Sequence, residues 1–452
     1  MKPLPEKCED NLRTLLREEF PAFASSLQEP APVSIRVHPL KNNRSNTGSP
    51  VPWTRFGKYL NDRPVFTLDP LLHAGSYYVQ EASSMFLEQA LAQSVDLSQP
   101  LRILDLCAAP GGKSTHLLSL ISRESVLVSN EVIRSRASIL SENIQKWGYP
   151  NAIVTNNDPA DFQKLTGFFD VIVVDAPCSG EGLFRKDPDA MDKWSPENVQ
   201  RCCGRQRRIV SDAWDSLKEN GILIYSTCTY NEAENEENLK WLKENQKVEF
   251  RKVSTKPEWG VEEIIKDNVI GYRFFPHRTK GEGFFLSVMQ KRESIKIIPL
   301  RNKSVLAPPA RSVSERLQEW ILPSAPVTFF QFNDLLFYTP ASKSEEVGFL
   351  LQNFRIVYAG TNLATLKHDK LIPDHALALS VELRKGNSPT AELSKSEAIK
   401  YLRRDAIQIE GASMGFTLVT YHGLPLGWAN VLSNRVNNMY PSDWRIRMDV
   451  TV

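Results

Sequence analysis

Residues 101–115 read LRILDLCAAPGGKST, and this stretch decides the fold. Leu101 to Leu106 is a short apolar run of strand length, and a helix is expected from Lys113 to about Ile121. Between them, Gly111 and Gly112 permit a tight turn and let a ligand approach the backbone closely. The helix N-terminus behind them favours a carboxylate or other anion. The ending GGKST invites a nucleotide-phosphate loop, but that loop needs Gly five residues before Gly112, where Cys107 stands. The dinucleotide pattern G-x-G-x-x-G is absent as well. Two phosphate chemistries are therefore excluded, leaving either a ligand loop of another kind or a plain turn.

Outward from this stretch, strand and helix patterns alternate. Strands are expected at Val126 to Ser129, Ala152 to Thr155, Asp170 to Val174 and Gly221 to Ser226. Helices are expected from Val132 to Trp147, and from Ser195-Pro196-Glu197, with Ser as cap and Pro in the first turn, to about Glu219. Such alternation indicates an α/β fold with a parallel sheet covered on both faces, whose ligands bind outside the carboxyl ends of the strands. Before it, PVSIRVH (32–38) suggests a strand, Asn42 to Pro52 an exposed loop, and residues 82–94 a helix. After it, APPA (307–310) and PSAP (323–326) break regular structure. The expected division is 1–98, 99–292, 293–384 (linker and small α+β subdomain) and 385–452.

A chain of 452 residues suits two or three domains. Its formal net charge of +2 excludes a strongly basic tail-type binder but leaves room for local basic patches. No apolar run approaches the roughly 18 residues of a membrane span, and the charged N-terminus has no signal-peptide core. Six Cys without a C-x-x-C pair make neither a disulfide framework nor a zinc site. The expectation is a cytoplasmic protein with reduced thiols, no metal and no membrane.

Three further positions fall at expected strand ends. Glu131 is placed to accept from the hydroxyls of a ribose. Asp158, in TNNDP, either accepts from an adenine amino group or makes an Asx-turn before Pro159. DVIVVDAPCSGEG (170–182) brings Asp175 and Cys178 to the sheet edge. A buried hydrophobe is the usual fate of free Cys, but the place of Cys178 after a strand, beside Asp and Pro, argues otherwise. GILIYSTCTYNEAENEEN (221–238) does the same for Cys228, with a helix expected near Asn231. A thiol beside a helix N-terminus gains thiolate character, an effect the acidic run from Glu232 to Glu237 opposes. Two cysteines facing one crevice suggest covalent catalysis. A thiolate added to carbon-6 of a pyrimidine makes carbon-5 enamine-like and able to attack an electrophilic methyl. A second group must then help release the thiol and the carbon-5 proton, while Asp175 is placed to hold a proton on ring N3.

The motifs CAAPGGK (107–113), DAPCSG (175–180) and STCTY (226–230), with SIRVHPLK (34–41) and YYVQEASSM (77–85), closely resemble the Sun-type RNA cytosine-carbon-5 methyltransferases. The match extends over roughly residues 30–292. It implies a class I Rossmann-like methyltransferase core and S-adenosylmethionine as methyl donor. By motif position it implies Cys228 as nucleophile and Cys178 as the cysteine assisting release. Cys107, Ala108, Ala109, Pro110, Gly111, Gly112, Lys113, Glu131, Asp158 and Asp175 correspond to donor-binding positions, with Lys113 also near the target base. The segment 422–448, around GLPLGW (423–428), looks like the PUA-like RNA-binding end of the F-type bacterial small-subunit rRNA methyltransferases. Ala429-Asn430 and Ser442-Asp443 depart from that pattern, which puts individual RNA contacts in doubt. The resemblance implies an N-terminal RNA-binding extension and 16S rRNA or the small subunit as partner; the oligomeric state is open, with a monomer as the default expectation. Two basic clusters, Arg201/Arg205/Arg207/Arg208 and Arg273/His277/Arg278/Lys280, are candidate phosphate contacts. The alternatives are a tRNA cytosine methyltransferase and a catalytically idle RNA-binding assembly factor.

Overall fold

The computed structural model describes residues 3–41, 48–296, 307–324, 326–409, 411 and 413–448. Two helices open the chain, Glu6–Leu16 and Phe20–Ser26. Their Cys8, Leu12, Leu16, Phe20 and Phe23 recur at helical spacing and are buried against Phe184, Met191, Trp194, Tyr230 and Phe275. An antiparallel sheet follows, in the order β2-β3-β1-β4, from β1 (Val33–Val37), β2 (Ser49–Pro50), β3 (Gly57–Leu60) and β4 (Tyr77–Val79). The loop expected over 42–52 thus ends in a short strand, and residues 42–47 lie outside the described residues.

The central sheet is built from β5 (Arg102–Asp105), β6 (Val126–Asn130), β7 (Ala152–Thr155), β8 (Phe169–Asp175), β9 (Leu217–Thr227), β10 (Val248–Phe250), β11 (Glu262–Lys266), β12 (Val269–Phe274) and β13 (Phe284–Lys291). β7, β6, β5, β8 and β9 run parallel side by side, and β13 joins β9 antiparallel. Alternation along these strands feeds two separate cores. Ile103, Leu127, Val154, Val171 and Ile224 pack on one face, and Leu104, Val128, Ile153, Ile172 and Leu223 on the other. After β7 the chain crosses back to place β8 on the far side of β5. This reversal of strand order opens a crevice at the carboxyl ends of β5 and β8.

The helices Gly112–Leu120, Arg134–Trp147 and Pro196–Trp214 lie close to their expected ranges. The third stops short of Glu219, because the Ser216 hydroxyl bonds the Ala213 carbonyl and Leu217 enters the core opposite Phe169 as the start of β9. The helix expected near Asn231 begins only at Glu236.

The proline segments at 307–310 and 323–326 flank a helix, Arg311–Gln318, with Ala325 outside the described residues. β14 (Val327–Phe332) and β15 (Leu335–Pro340) form a hairpin. β16 (Ile356–Ala359) then leaves that sheet and pairs antiparallel with β7, so the stretch expected as a separate small subdomain adds an edge strand to the central sheet. β17 (Thr361–Lys367) and β18 (Lys370–Pro373) complete the order β14-β15-β17-β18. The last sheet contains β19 (Thr390–Glu392), β20 (Gly415–Tyr421), β21 (Leu424–Val431) and β22 (Val436–Asn438). It packs on a helix, Lys395–Arg403, closed by a Ser394/Glu397 capping box. Trp428 of GLPLGW donates its indole N–H to the Asp374 carbonyl at 2.9 Å, tying the last two sheets together. Among the described residues no helix is long and apolar enough to cross a membrane.

Candidate active site

β5 delivers Asp105, fully buried, to the floor of the crevice. Its Oδ2 accepts from the Ser114 hydroxyl at 2.6 Å, while Oδ1 has no partner among the described residues. Burial pushes this carboxyl up to about 7, against the opposing pull of Ser114 and Lys113. The CAAPGG loop lies above it. Ala108 N donates to the Asn130 carbonyl at 2.8 Å. The Ala109–Pro110 peptide is cis, and Gly111, at φ 115°, turns the chain into the helix at Gly112. Two side chains of the helix Arg134–Trp147 grip this loop: Arg136 Nη2 donates to the Ala109 carbonyl at 2.7 Å and Asn143 Nδ2 to the Pro110 carbonyl at 2.8 Å. The buried Glu131, just beyond β6, accepts from Ile133 N at 2.9 Å and pairs with Arg136 Nη1 at 3.3 Å. One guanidinium therefore holds both the loop and the carboxylate expected to meet a ribose.

β8 ends in Asp175, whose Oδ2 lies 2.8 Å from Lys113 Nζ and whose Oδ1 accepts from the Ser226 hydroxyl at 2.9 Å. Lys113 is buried, with its ammonium 5.2 Å from the centre of the Phe284 ring. Beyond Asp175 and Thr227 the chain forms two loops whose free cysteines, Cys178 and Cys228, place their sulfurs 3.0 Å apart. The contact with Cys228, together with burial, pushes the Cys178 thiol well up. The loops are cross-linked by Gly182 N donating to the Cys228 carbonyl at 2.9 Å and by a 3.1 Å contact between the Ser179 and Thr229 hydroxyls. The helix expected to follow Cys228 near Asn231 begins only at Glu236, so its N-terminus is not next to that thiol in the chain.

Both sides meet in a cavity of about 310 Å³, lined by Cys107, Ala109, Glu131, Asp175, Cys178 and Cys228 among the expected residues. Ala108, Pro110, Gly111, Gly112 and Lys113 are not among its lining residues. Asp158 Oδ1 accepts from Ala160 N at 3.1 Å and its Oδ2 pairs with Arg208 Nη2 at 3.4 Å; Pro159, beside it, lines the cavity. Arg205 and Arg208, expected as phosphate contacts, also line it, and so do Asn130 and Arg136, which sequence reasoning missed. The only signal for those two is position: Asn130 ends a strand, and Arg136 lies on the helix that follows it. A larger cavity, about 520 Å³, lies between the helix Glu6–Leu16 and residues 230–237, but neither thiol faces it.

The two basic clusters fare differently. Arg201, Arg205 and Arg208 are exposed on one stripe of the helix Pro196–Trp214, whereas Arg207 bonds Asn238 Oδ1 at 2.7 Å. In the second cluster Arg273 is buried against Glu236, and both His277 and Arg278 bond Glu19. Arg273, His277 and Arg278 thus spend their side chains on acidic partners within the chain, and only Lys280, exposed over the Tyr59 ring, is left of the second cluster to face a phosphate. Among the described residues no group of three or more His, Cys, Asp or Glu is placed to hold a metal ion.

Residues 92–290 match the 16S rRNA methyltransferase RsmB/F family. Residues 4–82 match the N-terminal domain of 16S rRNA methyltransferase RsmF, and residues 388–446 the methyltransferase RsmF PUA domain. Ribosomal RNA small subunit methyltransferase F of Escherichia coli O157:H7 (strain EC4115 / EHEC) is 31% identical over 463 residues, covering 96% of this chain and 96% of that protein. The crystal structure of a methyltransferase homolog protein from Pyrococcus horikoshii aligns with a TM-score of 0.54 at 27% identity, covering 62% of this chain and 93% of that one. NSun6 from Pyrococcus horikoshii with SFG aligns with a TM-score of 0.54 at 20% identity, covering 64% of this chain and 99% of that one, a likeness of fold. The central sheet is thus a Rossmann-like methyltransferase core, and the last sheet falls within the match to a PUA domain. The chain belongs to the ribosomal RNA small subunit methyltransferase F family, a family of S-adenosylmethionine-dependent RNA methyltransferases.

Proposed function

We propose that this chain methylates carbon-5 of a cytosine in 16S rRNA, with Cys228 as the nucleophile and Cys178 as the group that assists product release. The observation that carries this is the pair of free thiols, 3.0 Å apart, on the wall of a cavity that also presents Glu131 and Asp175. The donor fits the residues present. The unpaired Asp105 Oδ1 suits an ammonium, Glu131 suits ribose hydroxyls, and 310 Å³ falls within the usual range for a ligand of this size. S-adenosylmethionine supplies an electrophilic methyl on a sulfonium.

The protein's residues do the rest. The Cys228 sulfur bonds to carbon-6, and the displaced electron pair makes carbon-5 nucleophilic. Asp175, between Lys113 and Ser226, holds a proton on N3 while that charge develops. After carbon-5 has taken the methyl, its proton leaves with help from Cys178. The electrons of that bond expel the Cys228 sulfur and restore the ring. The target base must be unstacked to reach this pocket. The exposed stripe of Arg201, Arg205 and Arg208 ends at the cavity and suits the phosphates beside the target. The flanking parts, 1–98 and 385–452, extend this RNA contact. The protein works as a cytoplasmic monomer with its thiols reduced.

The test is methyl transfer from labelled donor to transcribed 16S rRNA. Cys228→Ala abolishes transfer. Cys178→Ala leaves protein bound to RNA on a denaturing gel. Transfer surviving Cys228→Ala refutes the nucleophile, and methylation of tRNA with rRNA inert refutes the substrate.

A further inference from the structure

Glu234 and Asn235 are consecutive and fully buried, yet each reaches a different cysteine loop. Glu234 Oε1 accepts from Ser179 N, the residue after Cys178, at 2.9 Å. It also accepts from Gln206 Nε2 at 2.9 Å, and the same Gln206 nitrogen donates to the carbonyl of Pro177, the residue before Cys178, at 3.0 Å. Asn235 does the equivalent for Cys228. Its Oδ1 accepts from the Thr227 hydroxyl at 2.6 Å, and its Nδ2 donates to the Thr229 carbonyl at 3.0 Å. Each cysteine is thus bracketed on both sides, and the two brackets share one peptide bond. The bonding demands differ. The bracket on Cys178 needs an acceptor for two donors, whereas the bracket on Cys228 needs a group that accepts and donates at once, which an amide provides.

We propose that Glu234 and Asn235 are positioning residues with separate duties, Asn235 setting Cys228 for attack and Glu234 setting Cys178 for release. This rests on the thiol roles proposed above. Because both brackets hang from adjacent backbone atoms, the pair fixes the distance between the two sulfurs. Misplacement of a reacting group by about 1 Å costs on the order of 10²-fold in rate.

The test uses the full-length protein, labelled donor and 16S rRNA, reading product formation, protein–RNA adduct on denaturing gels, S-adenosylhomocysteine affinity and melting temperature. Glu234→Ala is expected to accumulate adduct as Cys178→Ala does, with product formation falling on the order of 10²-fold. Glu234→Gln, whose amide oxygen can still accept both bonds, is expected to return product formation to within several-fold of the parent. Asn235→Ala is expected to slow product formation by a similar factor with no adduct. Asn235→Asp keeps the bond from Thr227 but cannot donate to Thr229, and is expected not to rescue. S-adenosylhomocysteine affinity stays unchanged throughout. If an alanine variant does not fold, Glu234→Asp, with its shorter reach, and Asn235→Asp carry the same comparison. Equal losses with the same adduct fraction in both sets, or unaltered rates, overturn the inference. Should Cys228→Ala still form adduct, or Cys178→Ala form none, the thiol roles themselves fail, whatever the other variants do.

Discussion

The two sides of the crevice are held in different ways. On the donor side, the Ala109 and Pro110 carbonyls and Glu131 are gripped by Arg136 and Asn143, both on the helix that follows β6. The Arg136 side chain is 49% exposed, so its ion pair sits in high dielectric and is individually weak. On the thiol side the supports are buried and come from separate parts of the chain. Glu181 accepts from Trp194 Nε1, Asn231 Nδ2 and Tyr230 N, while Glu234 and Gln206 hold the segment around Cys178. Removing a buried partner strands a donor or acceptor, which costs more than losing an exposed one. The donor side is therefore built to adapt around a ligand, and the thiol side to keep a fixed geometry.

If that contrast holds, substitutions should separate donor affinity from chemistry. The largest effect is expected from Asp175→Asn. It should lower single-turnover methyl transfer by roughly 10²–10⁴-fold, the usual scale of acid–base assistance, with S-adenosylhomocysteine affinity falling by far less. An equal loss of affinity would erase the distinction between the sides. Next, Glu131→Ala should weaken S-adenosylhomocysteine binding by about 10–100-fold, the scale of one or two bonds to a charged acceptor, read by calorimetry. Adduct formation at saturating donor should survive when Glu131→Ala is combined with Cys178→Ala.

A third test uses pH. The ordinary carboxyl value of 3.8 is raised to about 7 for Asp105 in the folded protein, so between these values the folded state binds the extra proton. Stability contributed by this group is full below about pH 4 and is lost as pH rises through about 7. Urea melts at pH 5 and pH 8 should show that loss in the parent and not in Asp105→Asn. Binding of an ammonium-bearing ligand runs the other way, and S-adenosylhomocysteine affinity should rise roughly tenfold from pH 6 to 8 in the parent alone. The smallest effect is expected from Arg136→Ala, about 2–5-fold in donor affinity, consistent with an exposed ion pair.

What could be read from sequence follows the same line. The apolar runs of β5 to β8, the glycine turn at 111–112 and the acid at Glu131 are local, and the fold placed them within a residue or two of expectation. Cys178 and Cys228 were legible because each follows an apolar strand. Partners from elsewhere in the chain were not. Arg273, His277 and Arg278 look like a phosphate cluster until Glu236 and Glu19 are brought against them. The acidic run at 232–237 looks like a helix start. Yet Glu234 and Asn235 spend their side chains on the cysteine loops, and the backbone there turns rather than coils until Glu236. The pairing of β16 with β7 left no local mark.

That pairing has a consequence for how the protein is made. At synthesis rates of ~5–20 residues per second, the open edge of β7 leaves the ribosome ~10–40 s before β16 is available to cover it. An uncovered strand edge invites pairing with other chains. The nascent catalytic core thus passes through an interval of vulnerability that ends only when residues 356–359 arrive. A chain terminated after residue 292 would stay in that interval permanently, exposed to aggregation even with every catalytic motif in place.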